Sequence, residues 1–181
     1  VFHVEFDEAC RRDAQRPNGV GVSTVARMYE MYSQQFICRA KQVGPEAVIF
    51  DVDGTLALMD GRSPFDWDRV GEDKPNTVVV EIAKAMYAAG KTIIIMSGRD
   101  GSCYSETALW LERHGVQYHH FYIRTTGCQR DDRIVKSELY FENVDGKYSV
   151  SAVFDDRPKV CQMWRSLGLN VVQIGNPYIF F

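Results

Sequence analysis

The stretch Ala47–Thr55, with the sequence AVIFDVDGT, decides the fold of this chain. Its first four residues form an apolar run of the length of a buried strand, which is typical of a parallel sheet covered on both faces. Asp51 and Asp53 follow directly, and Gly54 lets the backbone turn away just behind them. Because alternate side chains of an extended chain point to the same side, we expect the two carboxylates to converge at the end of this strand.

After Gly44-Pro45 the sequence alternates between strand and helix patterns. Helices are predicted at Asn76–Ala89, Ser105–His114, Asp131–Phe141 and Pro158–Leu167. Strands are predicted at Thr92–Met96, His119–Ile123, Val150–Phe154 and Asn170–Ile174. Short connections then predict an α/β fold of the Rossmann-like type, a doubly wound parallel sheet of about five strands with its ligands at the carboxyl ends of the strands.

The first 43 residues lack this alternation. A short alternating run, VFHVEF, precedes a polar stretch from Asp7 to Gly21 that is expected to be a loop. Ser23 or Thr24 is expected to cap a helix that runs to about Ala40. The composition changes at Gly44-Pro45, so two regions are predicted, residues 1–43 and residues 44–181.

Composition excludes several classes of protein. The chain has 181 residues, of which 45% are hydrophobic and 25% charged, and its formal net charge is −3. This charge argues against a long contact with duplex nucleic acid, although strand-end loops could form a local basic rim from Arg62, Arg124, Arg130, Arg133 and Arg157. No stretch approaches the roughly 20 apolar residues of a membrane helix. Five scattered cysteines without a CxxC pair favour a reducing compartment, and we expect a cytoplasmic protein.

Polar and charged residues follow two further predicted strands. The second strand is followed by a hydroxyl and by backbone amides that can hold an anion, those of Ser97, Gly98 and Arg99. The fourth strand is followed by the adjacent acids Asp155 and Asp156, which need a cation beside an apolar run. Lys136, in the preceding helix, can reach the same crevice. Clustered carboxylates favour a hard divalent cation, and oxygen ligands favour Mg²⁺, with Mn²⁺ or Co²⁺ as alternatives.

Such a site suits a phosphoryl group. The cation, Lys136 and the turn amides would screen the charge of the phosphate from an attacking carboxylate. One aspartate can then attack phosphorus, and the second, two residues away, can protonate the leaving oxygen and later accept a proton from water. The pattern predicts hydrolysis of a phosphate ester in two steps.

The motifs FDVDGT, SGR, a lysine about forty residues further on and FDDR resemble those of the haloacid dehalogenase superfamily of aspartyl-phosphate phosphatases. The resemblance implies that Asp51 is the nucleophile and Asp53 the general acid and base. It implies phosphate binding by the motif residues Thr55, Ser97, Gly98 and Lys136. It also implies a magnesium site made by Asp51, the Asp53 main chain, Asp155 and a supporting Asp156.

The sequence between the motifs, including GRSPFD and QRDDRIVKSELYF, resembles the 3'-phosphatase domains of bacteriophage polynucleotide kinase-phosphatases. This closer resemblance implies that Arg62 and Arg99 contact the terminal phosphate or its neighbours, and that Asp132 positions Lys136 or an arginine. RNA or DNA 3' ends are then the expected partners, with 2',3'-cyclic phosphate as a further substrate, in nucleic-acid end repair. The gaps between motifs leave no room for a large cap domain, which fits a site open to polymer ends.

Residues 1–43 resemble the end of the kinase domain of the same family, a lid loop with Arg11, Arg12 or Arg16 as a phosphate-binding candidate, followed by the terminal helix. The rest of the kinase domain is then an expected partner in a longer protein. The string AMYAAGKT at 85–92 lacks the first glycine of a phosphate-binding loop and precedes a strand, so we expect no kinase activity.

Two alternatives stay open at this point. The first is a small-molecule phosphatase acting on nucleotides or sugar phosphates, and the second is a non-catalytic docking module that retains its acids. The sequence also leaves open the preference between RNA and DNA and whether the chain forms a homo-oligomer.

Overall fold

A computed structural model describes residues 6–25, 28 and 40–176 of the chain. The chain divides into two compact units, Val1–Arg39 and Ala40–Phe181. Each unit is described by itself.

The first unit begins with helix α1, Phe6–Ala14. The prediction of a loop from Asp7 is therefore wrong over this helix. Glu8 accepts hydrogen bonds of 2.7 Å from Arg11 Nε and from Arg12 Nε, and these spacings of three and four residues stabilise a helix. Residues 22–25 are helical as well. Most of the predicted second helix, and the start of the VFHVEF run, lie outside the described residues.

The second unit contains a five-stranded parallel sheet and a two-stranded ribbon. Its sheet strands are β1 (Glu46–Phe50), β4 (Thr92–Ser97), β5 (His120–Ile123), β6 (Ser149–Asp155) and β7 (Val171–Gln173), and its ribbon pairs β2 (Ala57–Leu58) with β3 (Lys74–Pro75). The sheet order is β5-β4-β1-β6-β7, with every neighbouring pair parallel. The chain therefore runs outward from the central β1 in both directions, which confirms the predicted doubly wound fold.

Four helices cover this sheet, namely α2 (Thr77–Ala88), α3 (Tyr104–Arg113), α4 (Asp132–Asn143) and α5 (Pro158–Ser166). Side-chain alternation sends Val48 and Phe50 of β1 to one face, where Trp110 of α3 packs. Ala47 and Ile49 point to the other face, together with Trp164 of α5. Burying each large apolar side chain contributes roughly 1.5–3 kcal/mol, so β1, covered on both sides, is a firm support for the residues that follow it.

The connection between β1 and α2 holds the ribbon and a 3₁₀ helix, Trp67–Glu72. The connection after β4 holds a short 3₁₀ helix, Gly101–Cys103, directly before α3. Within residues 40–176 neither insertion forms a cap domain, as predicted. None of the helices in the described part of the chain is long and apolar enough to cross a membrane.

Candidate active site

The carboxylate of Asp51 lies buried just past the end of β1 and is bonded to a buried lysine. Lys136 reaches it from α4, and its Nζ donates to Asp51 Oδ1 at 2.8 Å and to Asp155 Oδ2 at 2.9 Å. The Lys136 side chain is 1% exposed. Three segments that are far apart in sequence thus converge at the carboxyl edge of the sheet, where the motifs place them.

Burial and the excess of negative charge determine the pKa values of Asp51 and Lys136. Burial raises the pKa of the Asp51 carboxyl well above its ordinary value; Lys136 opposes the rise and Asp155 adds to it. Burial alone would lower the pKa of Lys136, but the surrounding carboxylates, led by Asp155, raise it well above its ordinary value. Lys136 is therefore a fixed positive charge.

Asp51, Asp155 and Asp156 together have the composition of a divalent-cation site. Their ligand oxygens all lie within 4.8 Å of one another. Burial and the neighbouring Asp155 raise the pKa of Asp156 to about 6. Among the described residues, Asp156 Oδ1 is one of three buried side-chain atoms without a hydrogen-bond partner. A hard cation fits this set because it would supply the missing partner and neutralise the clustered charge.

Gly54 makes this cluster possible. Its φ of +75° favours glycine, and a Cβ at this position would collide with the Asp156 carboxylate. The glycine after the two aspartates is therefore required both by the turn and by the close approach of a third carboxylate.

Asp53 lies in a different environment, among arginines. Arg99 donates to it through Nε at 3.1 Å and through Nη2 at 2.8 Å, and Arg62 Nη2 donates to it at 3.0 Å. Both guanidinium groups also bind the buried Asp73, Arg62 through two hydrogen bonds of 2.7 Å. The carboxylate of Asp53 is partly exposed, and hydrogen bonds from the two arginines, which Asp73 in turn fixes, hold it in place.

This network differs from the expected phosphate contacts in one respect. The side chains of Arg62 and Arg99 are buried, and the contacts described for them are with protein groups, including Thr107 Oγ1 at 3.1 Å from Arg99. Arg62 is therefore not part of an exposed basic rim, contrary to the expectation from its loop position. Asp73 and Thr107 were not predicted, because nothing in their local sequence marks them.

Of the remaining predicted residues, Thr55 lies beside Asp51, and Ser97 and Gly98 lie at the end of β4. Thr55 Oγ1 lies 3.5 Å from Asp51 Oδ2, and Ser97 Oγ accepts the backbone N–H of Arg99 at 3.2 Å. At Gly98 a Cβ would collide with the carboxylate of Asp132.

Asp132 connects the lysine to two arginines. It lies 3.7 Å from Lys136 Nζ and accepts hydrogen bonds from Arg124 Nη2 at 3.1 Å and from Arg157 Nη1 at 3.4 Å. It is therefore placed to orient Lys136 and both arginines.

A cleft of about 220 Å³ lies at this end of the sheet. The acids Asp51, Asp53 and Asp132 and the glycine Gly98 contribute to the lining. The segment after β1 adds apolar side chains, and the segments after β5 and β6 add basic ones, Arg124, Arg130 and Arg157. The cleft therefore combines carboxylates, among them Asp51 of the acidic cluster, with basic side chains.

Residues 45–177 match the family model of the phosphatase domain of polynucleotide kinase PNKP. The chain belongs to this family. As a PNKP-type phosphatase domain, it is a phosphoric monoester hydrolase.

Relatives of this phosphatase domain are longer proteins. A protein assigned as a bifunctional polynucleotide kinase/RNA ligase, from Autographa californica nuclear polyhedrosis virus, is 37% identical in an alignment of 181 positions that covers 95% of this chain and 26% of the relative. The phosphatase domain also superimposes on a chain of a Pnkp1/Rnl/Hen1 complex with a TM-score of 0.73 at 35% identity, covering 77% of this chain and 50% of that one.

A chain of the Pnkp1/Rnl/Hen1 RNA repair complex gives a TM-score of 0.75 at 29% identity, over 96% of this chain and 62% of that one. The class C acid phosphatase of Bacillus anthracis, at 15% identity and a TM-score of 0.50 over 96% of this chain and 86% of that one, shares the fold alone. The present chain thus spans about a quarter of its viral relative, and 50% and 62% of the two chains from the Pnkp1/Rnl/Hen1 complexes.

In the phosphatase domain, groups outside the predicted set orient Asp155. Trp164 Nε1 donates to Asp155 Oδ2 at 3.2 Å, and the Arg157 backbone N–H donates to Oδ1 at 3.2 Å. The sequence favours core packing for Trp164, and the structure shows core packing and this hydrogen bond together. A buried indole N–H needs an acceptor, and the strand-end acid nine residues earlier is the signal that could have found this pair.

Proposed function

We propose that this domain removes the 3'-phosphate from RNA or DNA ends through a covalent aspartyl-phosphate (acyl phosphate) intermediate on Asp51, with Mg²⁺ as its cofactor. The observation that carries the proposal is the buried Asp51 carboxylate, bonded to Lys136 and lying in the same cleft as Asp53. Family membership supports the reaction class, and the assignment of the relatives to polynucleotide and RNA repair supports a polynucleotide substrate.

In the first step, an oxygen of Asp51 attacks phosphorus, and the bond from phosphorus to the 3'-oxygen of the strand breaks. Asp53 donates its proton to this leaving oxygen, which becomes the 3'-hydroxyl. In the second step, Asp53 takes a proton from water, whose oxygen attacks phosphorus and releases inorganic phosphate and Asp51. Arg62 and Arg99 hold the Asp53 carboxylate in the orientation that both steps need.

Asp51, Asp155 and Asp156 would hold Mg²⁺, with the main chain at Asp53 nearby. When bound, the ion supplies positive charge that offsets the repulsion between a carboxylate and a phosphate. Lys136 contributes a second positive charge on the Asp51 side, and Asp132 keeps the lysine in place.

The size of the cleft supports a polymer end. Sites that enclose a whole small molecule typically measure roughly 300–1,000 Å³. At about 220 Å³, this cleft accepts the end of a strand and leaves the rest of a long substrate outside. A bulky chain is compatible with the site because no cap domain covers it among residues 40–176.

We also propose that residues 1–43 belong to a kinase domain of a longer protein. The length of the relatives, and the kinase and ligase activities in the name of the viral one, support this arrangement.

Phosphate release from an oligonucleotide with a 3'-phosphate, with and without Mg²⁺, tests the activity. Parallel arms use the same strand with a 5'-phosphate, a 2',3'-cyclic phosphate, a 3'-mononucleotide and a sugar phosphate. We expect Mg²⁺-dependent release from the 3'-phosphorylated strand, abolished by Asp51→Asn and by Asp53→Asn. Equal or better use of the sugar phosphate would instead support a small-molecule phosphatase, and no release from any ester would support a docking module.

The metal site has a test of its own. Mg²⁺ should raise the melting temperature of the domain, because a ligand that binds the folded state stabilises it. Asp156→Asn should reduce this rise. Retention of the full rise in that variant would contradict the assignment of Asp156.

A further inference from the structure

An exposed aromatic ring lies at the cleft and has no role in the steps above. Phe65 is 78% exposed, and its ring packs edge-on against Trp67 with 6.3 Å between centroids. Met59, Pro64, Phe65 and Trp67 line the same cleft as the two catalytic aspartates. We call these four residues the apolar side of the cleft.

The backbone around Phe65 is held in place. Arg62, three residues earlier, is tied to Asp73 and donates through Nη1 to Ser63 O at 3.1 Å. The backbone N–H of Asp66 donates to the same Ser63 O at 3.0 Å. Val70, in the 3₁₀ helix that begins at Trp67, is fully buried. The exposure of Phe65 is thus set by an anchored segment, and a ring held exposed beside a catalytic site is available to a ligand.

The chemistry of the rest of the lining indicates what that ligand is. Arg124, Arg130 and Arg157 line the cleft as well, and the Arg157 side chain is 43% exposed. The cleft thus has three features, which are its apolar side, its basic side chains and its phosphate-ester site. They match the three parts of a nucleotide at a strand end, namely its base, its phosphodiester and its terminal phosphate.

We propose that Phe65, supported by Trp67, stacks on the base of the nucleotide that carries the terminal phosphate and so determines a preference for phosphates attached to nucleosides. The inference deepens the proposed function and rests on it. The stacking tolerates any base, since every base has an aromatic face. Phe65 is then a specificity-determining residue and takes no part in proton transfer.

The experiment compares two oligonucleotides with a 3'-phosphate that differ only in the last residue, which is either a normal nucleotide or a tetrahydrofuran residue without a base. The wild-type domain should use the strand with the terminal base about 10- to 100-fold better in kcat/KM, which corresponds to the loss of one stacking contact. Phe65→Ala should remove this preference by slowing the reaction of the normal strand, with the strand that lacks the base unchanged. Phe65→Tyr should retain the preference.

Leu109→Ala is the matched control, because Leu109 is also an exposed apolar residue, on α3, and lines a different groove. It should change neither rate. Equal use of the two strands by the wild-type domain would overturn the stacking proposal and leave the 3'-phosphatase proposal standing, as would a Phe65→Ala variant that slows both strands equally. No release from either strand by the wild-type domain would overturn both.

Discussion

Asp51 and Asp53 stand two residues apart at the end of β1, yet the charges around them are opposite. Asp51 is buried with two more carboxylates and a single lysine. Asp53 is partly exposed and is held by two arginines, which share a second buried carboxylate. The first environment has an excess of negative charge, and the second is balanced by protein groups.

This difference assigns separate tasks to the two aspartates. A site with excess carboxylates gains from a bound cation, so the Asp51 side is suited to hold a metal ion and to receive a phosphate through it. A balanced site gains nothing from a further cation, and its fixed hydrogen bonds orient one carboxylate. Mutations on the two sides should therefore be separable by their response to Mg²⁺.

Asp51→Asn should have the largest effect. We expect phosphate release to fall about a thousandfold or more, because the amide cannot form the covalent intermediate. Without metal the variant should melt no lower than the wild-type domain, since one of three repelling carboxylates is gone. Asp60→Asn is the control, as Asp60 pairs with Lys74 at an exposed site and should retain full activity. A fully active Asp51→Asn variant would refute its role.

Lys136→Met should have the second-largest effect on activity. Removing a buried positive charge from among carboxylates costs about 3 kcal/mol of folding free energy, and activity should fall about a hundredfold. Mg²⁺ should raise the melting temperature of this variant more than that of the wild-type domain, because the ion then neutralises a larger excess of charge. An unchanged melting temperature without metal would contradict the charge assignment.

Asp73→Asn tests the arginine network around Asp53. Loss of the carboxylate shared by Arg62 and Arg99 should cost about 2 kcal/mol and lower kcat about tenfold or more, since Asp53 is no longer firmly oriented. The rise in melting temperature caused by Mg²⁺ should match that of the wild-type domain. Glu72→Gln, at the exposed neighbouring position, should behave as the wild-type domain does. A reduced Mg²⁺ response in Asp73→Asn would show that the two sides are not separable.

Asp131→Ala should have the smallest effect. Asp131 caps α4, the helix of Lys136, by accepting the Arg133 backbone N–H at 2.9 Å, and hydrogen bonds from Arg133 lower the pKa of Asp131 to about 2. Its contribution, about 1 kcal/mol or less at this exposed position, is present above pH 4 and is lost as the pH falls towards 2. The difference in urea stability between variant and wild type should narrow over this range, and a difference that is constant with pH would argue against the cap.

The fold was largely predictable because its strands carry continuous apolar runs and its helices are separated by glycine and proline signals. All nine predicted strands and helices of residues 44–181 occur within two residues of their predicted ends. The loop predicted at Asp7–Gly21 is wrong only over α1. The polar composition of this segment is typical of a loop, whereas the pairing of Glu8 with two arginines one turn later stabilises a helix.

The site was predictable in its motif acids and less so in their partners. Asp51 and Asp53 stand out because they follow a buried strand. Asp73 does not, because its bonds to Arg62 and Arg99 bridge segments 11 and 26 residues apart and leave no local pattern. Side-chain pairs between distant segments are fixed by tertiary packing, which the sequence of each segment does not encode alone.

The hydrogen bond from Trp164 to Asp155 has a practical consequence. The indole of Trp164 is fully buried, and its N–H donates a hydrogen bond to Asp155, one of the three clustered carboxylates of Asp51, Asp155 and Asp156. Indole emission responds to nearby charge, so neutralisation of that carboxylate should change the intrinsic fluorescence of the chain. The domain thus contains its own optical reporter, through which a titration could follow occupancy of the site without a substrate or a label.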